Sequence, residues 1–203
     1  MKRTIVLKKE LTIIKETSPK TVALILLTKY PFDSFTLSEI AEKAGISKST
    51  ASRVLTQLQK EGFITIGQIA NLWRVQFNIN NTQAIGTKIG MNLIAVYNAR
   101  IVDYIIFKFG TPKVIMLFGS YRKGEDGPAS DIDIAIEISE EKEMEIISLE
   151  QFKDDASIAL KEWEKSAERK IKLHFFHRKH IDPNLFINIA NGILLYGLLE
   201  VKP

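Results

Sequence analysis

The chain has 203 residues, a formal net charge of +4, 45% hydrophobic and 26% charged side chains, so it is long enough for one large or two small domains with their own cores. It contains no cysteine, which excludes disulfides and thiolate metal sites and fits a reducing compartment. It has no apolar run of about 18 residues, and the opening segment Met1 to Glu10 is interrupted by charge too early for a signal peptide; a cytoplasmic protein with no membrane association is expected.

Charge is divided along the chain: residues 1–82 carry +6, residues 83–109 carry +2 and residues 110–203 carry −4. A basic front and an acidic back predict two modules with different partners, the front being the nucleic-acid binder. The expected boundaries are a first domain over 1–81, a linking helix over 82–109 and a second domain over 110–203.

In the front module, apolar residues recur at helical spacing from Thr21 to Lys29 and stop before Pro31, predicting a first helix. Thr36 followed by Glu39 forms a capping box for a second helix, Leu37 to Ala44, and Gly45 supplies the turn. Ser47 caps a third helix reaching about Glu61, where Gly62 stops it. Leu37, Ile40, Ala41, Ala44, Ile46, Ala51, Val54, Leu55 and Leu58 are the expected core. At the start of the third helix, Ser47, Lys48, Ser49, Thr50 and Arg53 face outward, short hydroxyls and two cations suited to phosphates and base edges.

Phe63 to Ile66 and Leu72 to Phe77 read as two wing strands. The intervening tip, Gly67-Gln68-Ile69-Ala70-Asn71, has no cation to grip phosphate, and Trp73 is read as a packing residue. The stretch from Leu37 to Leu55 resembles the winged helix-turn-helix of many bacterial and archaeal regulators. The resemblance implies DNA contact through residues 36–61.

From Thr82 to Phe109 the pattern predicts one long helix, with Ile85, Ile89, Leu93, Tyr97, Ile101 and Ile105 every four residues and Gly110 and Pro112 ending it. Met91, Ile94, Val102 and Ile106 widen the apolar surface. It suits either packing within one chain or the seam of a homodimer, which would present two recognition helices to two half-sites.

The back module opens with Val114 to Phe118, a short apolar run ending in Gly119-Ser120, as expected of a buried strand entering a tight turn. Ten residues on, Asp131-Ile132-Asp133-Ile134-Ala135-Ile136 alternates with period two. Asp131 and Asp133 therefore share one strand face, about 6.6 Å apart along it, while Ile132 and Ile134 face a core. A Gly-Ser turn opening a helix offers backbone N–H groups to an anion, and two hard carboxylates suit Mg²⁺ shared with phosphates. The segments Leu117-Phe118-Gly119-Ser120 and Ser130-Asp131-Ile132-Asp133 resemble the nucleotidyltransferases of the DNA polymerase β superfamily, particularly the minimal ones of prokaryotes. That resemblance implies a mixed sheet with flanking helices over about residues 110–200. It also implies nucleoside triphosphate, ATP for example, at Gly119, Ser120, Arg122 and Lys123, and Mg²⁺ at the catalytic pair Asp131 and Asp133.

The family's third carboxylate is expected on a neighbouring strand. Here that strand is Lys170 to His177, which has no acid: Lys172 stands at the position, with Glu168 and Asp182 as substitutes under another alignment. His174 and His177 read as partly buried strand residues without catalytic duty. A lysine there repels a second Mg²⁺ but can meet a phosphate as a point charge.

Elsewhere, Glu141 to Lys170 carries Leu149, Phe152, Ala156, Ala159, Trp163 and Ala167 at helical spacing, predicting one or two amphipathic helices, and the acidic run Glu137 to Glu145 reads as a solvated helix face. Asp182-Pro183 starts a further helix, Asn191-Gly192 ends it, and Ile193 to Gly197 is a closing strand. The fold class is thus α+β: a winged helix-turn-helix, a linker helix and a polymerase-β-like mixed sheet. Two functions are carried: a DNA-binding regulator with a degraded nucleotide-binding domain, and an active enzyme moving a nucleoside monophosphate from a triphosphate to a hydroxyl.

Overall fold

A computed structural model describes residues 18–70, 72–152 and 158–201. The opening segment read against a signal peptide, Asn71 of the wing tip and Ala156 of the amphipathic stretch lie outside them. The chain divides into two compact units, residues 1–88 and 89–203. Among the described residues no single helix is long and apolar enough to cross a membrane.

The first unit is built by its caps. Helix α1 (Pro19–Lys29) begins two residues earlier than the periodicity predicts, because Ser18 Oγ accepts the Thr21 N–H at 3.2 Å and Pro19 occupies the first turn. At α2 (Leu37–Ala44) the box is complete: Glu39 accepts the Thr36 N–H at 2.7 Å and Thr36 Oγ1 accepts the Glu39 N–H at 3.2 Å. Gly45 closes α2 in the left-handed conformation, φ 65°, and Ser47 caps α3 (Lys48–Lys60) by accepting the Thr50 N–H. Ile40, Ala41, Ala44, Ala51, Val54, Leu55 and Leu58 are buried, whereas Leu37 and Ile46 are only half-buried.

Strands β1 (Ile64–Ile69) and β2 (Leu72–Phe77) pair antiparallel, from Ile64 with Phe77 to Ile69 with Leu72. The first wing strand is therefore longer than expected: Gly67, Gln68 and Ile69, read as part of the tip, continue the ladder. Trp73 is half-buried in β2.

The predicted single linker helix is broken. Helices α4 (Thr82–Asn98) and α5 (Ile101–Phe109) meet at a bend of 42°. Arg100 lies between them in the left-handed region, φ 55°. A left-handed arginine costs about 1–2 kcal/mol, and burial of Ala99 and Ile101 on either side of it offsets this. A straight helix following the four-residue stripe would have buried Tyr97; in fact Tyr97 is 53% exposed, and Val96, Ala99, Ile101, Tyr104 and Ile105 fill the core.

The second unit carries a five-stranded mixed sheet in the order β5-β6-β4-β3-β7. Its strands are β3 (Val114–Phe118), β4 (Ile132–Glu137), β5 (Glu145–Ser148), β6 (Ile171–Phe176) and β7 (Ile193–Gly197). The pairs β3/β4, β3/β7 and β5/β6 are antiparallel, and β4/β6 is parallel. Every residue of β3 is buried, as expected of a central strand covered on both faces. Helix α6 (Gly119–Lys123) follows β3, α7 (Ile158–Ala167) precedes β6, and α8 (Pro183–Ala190) precedes β7.

The stretch from Glu141 to Lys170 differs from its reading. Among its described residues only α7 is an α-helix; Glu145–Ser148 is the edge strand β5 and Leu149–Phe152 a single 3₁₀ turn. The acidic run is no helix face either. Glu137 ends β4 at 2% exposure, accepting Arg178 Nε at 3.0 Å and Nη2 at 3.2 Å, because a buried carboxylate requires such a fork.

Candidate functional site

Sheet register assembles the acid site. Phe118 pairs with Asp133 across β3/β4, so the turn at Gly119 lies beside the Asp133 side chain. Gly119 has φ 75°, and a Cβ added there would sit 2.7 Å from Asp133 Oδ2. Both the left-handed backbone and this approach require glycine. Ser120 follows it in the first turn of α6.

On the other side of β4, Asp133 pairs with Lys172 and Ala135 with His174 in the parallel ladder. Lys172 Nζ is 2.6 Å from Asp131 Oδ2, and His174 Nε2 is 2.9 Å from Asp133 Oδ1. Asp131 holds the Lys172 ammonium above its ordinary pKa, first through the hydrogen bond and then through charge, with Asp133 adding a smaller share. His174 is buried, edge-on to Phe118 at 4.9 Å, and its Nδ1 has no hydrogen-bond partner. Burial of His174, expected from its place in the strand, comes with a direct contact to Asp133.

The two substitutes for a third acid are elsewhere. Asp182 caps α8, accepting the Leu185 N–H at 3.0 Å. Glu168 sits in the turn after α7 with φ 54°, in a charged cleft with Glu150, Lys161 and Lys165. No group of three or more His, Asp or Glu side chains among the described residues converges on one ion. Arg122 and Lys123 make no ion pair with Asp131 or Asp133: Arg122 is half-buried with Nε unpartnered, and Lys123 lies 3.9 Å from Glu125.

A second set of side chains fixes the loop joining Gly119 to Asp131, and the sequence reading missed it. Asp126 is fully buried; Asn92 Nδ2 donates to its Oδ1 at 2.8 Å and also to the Tyr121 carbonyl at 2.8 Å. Arg169 Nη2 is 2.8 Å from Asp126 Oδ2, while its Nε donates to the Gly127 carbonyl at 3.1 Å and its Nη1 to the Ala167 carbonyl at 2.8 Å. Ser130 Oγ accepts the Gly127 N–H at 3.1 Å. The only local signal was an aspartate between Gly124 and Gly127, which ordinarily marks a solvated turn.

In the first unit, Ser47, Lys48, Ser49 and Arg53 are exposed at the start of α3, and Thr50 is half-buried. The Ser47 hydroxyl also meets Ser49 Oγ and Thr50 Oγ1 at 2.9 Å each, so capping engages three of the five polar groups. Lys48 and Arg53 supply the charge of this face.

Residues 99–195 match the nucleotidyltransferase domain family and residues 17–68 match the MarR family. The chain joins a MarR-family domain to a nucleotidyltransferase domain. Solved structures similar to it include MepR, a transcription regulator of the Staphylococcus aureus multidrug efflux pump MepA (17% identity, 50% of this chain and 75% of that one, TM-score 0.37). The S. aureus MepR–DNA complex (14%, 51% and 86%, 0.35) and a MarR family protein from Bacillus stearothermophilus (18%, 51% and 68%, 0.33) are others. Among curated proteins none matches.

Within the acid pair, Asp131 Oδ1 and Asp133 Oδ2 are the oxygens that lie outside the ion pairs to Lys172 and His174. Two such oxygens suit one Mg²⁺, which normally takes one or two carboxylates and completes its shell with water and phosphate. A second ion would lack a third carboxylate and would face the Lys172 ammonium instead.

Proposed function

We propose that this protein is a DNA-binding transcriptional regulator whose nucleotidyltransferase domain binds an Mg-nucleoside triphosphate and transfers from it weakly or not at all. The observation carrying this reading is the Lys172–Asp131 pair, 2.6 Å, in the register position beside Asp133. Positioned hydroxyl activation needs a base or a metal that lowers the hydroxyl's pKa, and a protonated lysine at this position supplies neither. Gly119 and Ser120 would cradle the triphosphate with Arg122 and Lys123 as phosphate cations, and Asp131 and Asp133 would hold the Mg²⁺, whose charge would offset that of the phosphates. ATP is the expected nucleotide.

Incubation with labelled ATP, GTP, CTP or UTP and Mg²⁺ decides the catalytic half. Saturable binding with little or no label transfer is expected. Efficient transfer that vanishes in the Asp131→Ala plus Asp133→Ala variant would refute the degraded-enzyme reading in favour of an active enzyme, which the retained acid pair otherwise supports.

DNA contact is assigned to residues 36–61, with the protein acting as a homodimer on two half-sites. Replacing both Lys48 and Arg53 by alanine is expected to weaken duplex binding by one to two orders of magnitude or more, and removal of two phosphate contacts per half-site, four per dimer, should reduce the slope of log affinity against log salt by about 4. An unchanged slope would remove α3 from the DNA interface. A stoichiometry of one chain per site would exclude the dimer.

A further inference from the structure

Two kinds of ion pair stand in the nucleotidyltransferase domain. The Asp126–Arg169 pair is sealed, with side chains 0% and 4% exposed, whereas the Asp131–Lys172 pair is open, at 31% and 40%. An open pair is held weakly in water and exchanges partners readily. Lys172 also has the stem for exchange: four methylenes ending in a compact charge that rotates freely.

Each ligand of the proposed site is opposed by the charge the other would neutralise. A divalent cation alone approaches Asp131 with an ammonium already 2.6 Å from the Oδ2 oxygen. A triphosphate alone approaches Lys172 past the carboxylates of Asp131 and Asp133. When both arrive, the lysine has an anion to move to and Asp131 is released.

We propose that Lys172 makes the site accept a divalent cation and a triphosphate only together, by exchanging its bond to Asp131 for one to a phosphate oxygen. This rests on the Mg-nucleotide reading above. Asp133 need not rearrange, since His174 holds Oδ1 while Oδ2 faces the Gly119 turn. A third carboxylate at position 172 would do the reverse, gathering cations without nucleotide. By linkage, the coupling is reciprocal between the two ligands and of the size usual between sites, about 5–150-fold.

The test uses the full chain and three separate titrations: Mn²⁺ alone by electron paramagnetic resonance, α,β-methylene-ATP alone in EDTA, and the preformed Mn²⁺–nucleotide complex. In the wild type the complex is expected to bind and each component alone to bind weakly. Lys172→Met should bind Mn²⁺ alone about tenfold more tightly and the complex less tightly, shrinking the coupling at least tenfold; Lys172→Arg should keep the exclusion of bare Mn²⁺. Equal Mn²⁺ affinity in the wild type and Lys172→Met, with the complex bound by both, overturns the exchange and leaves the nucleotide reading standing. Failure of the wild type, Lys172→Met and Lys172→Arg alike to bind the complex overturns the nucleotide reading and the exchange with it.

Discussion

Replacing Asp126 by alanine is expected to destabilise the nucleotidyltransferase domain by about 3–5 kcal/mol, the usual cost of breaking a buried ion pair from one side. Asp126 is fully buried and the Arg169 side chain is 4% exposed, so water cannot replace the lost carboxylate. Arg169 would keep its bonds to the Gly127 and Ala167 carbonyls, which satisfy donors but do not neutralise charge. Trp163, 6% exposed and 6.4 Å from Tyr121, offers a local reporter in urea unfolding once Trp73 is changed to phenylalanine. Adding Arg169→Met to Asp126→Ala removes the buried cation as well, and the double variant should recover a large part of the loss. A cost below about 1 kcal/mol for the single variant would mean that this pair does not hold the loop.

The same pair marks the limit of sequence reading. The Gly119 turn and the Asp131–Asp133 strand were legible because each is a local pattern: an apolar run into glycine, then period-two alternation. The front module was legible through caps, where one side chain bonds a backbone group three residues away. Asp126, by contrast, depends on Asn92 and Arg169, which lie 34 and 43 positions away along the chain. Nothing near Asp126 indicates its burial.

Local ambiguity produced the other differences. Glu145–Ser148 is four residues with two isoleucines, too short for its period to separate strand from helix. The pairing with β6 decided it. At Arg100 the left-handed turn occurs in a residue that seldom adopts it, so the break in the linker helix left no glycine to announce it. His174 stands two positions from Lys172 on the same face of β6, but strand periodicity does not reveal the reach of its ring across to Asp133.

Exchanging Lys172 for aspartate is expected to raise nucleotidyl transfer by about 10²–10⁴-fold over the wild type, the ordinary contribution of a positioned acid or base. Adjacent strands lie about 4.8 Å apart, and Asp133 is the register partner of position 172. An aspartate there would therefore stand beside the two existing carboxylates rather than across a gap. Three carboxylates repel one another without a cation, so the variant should lose stability in EDTA and regain it with Mg²⁺, a response the wild type should not share. Release of labelled pyrophosphate, or label retained on the chain, reads the transfer. Combination with Asp131→Ala should return it to the wild-type level. If Lys172→Asp binds the Mg-nucleotide complex but transfers no faster, Lys172 is not what silences the site, and the deficit must lie in the approach of the acceptor hydroxyl.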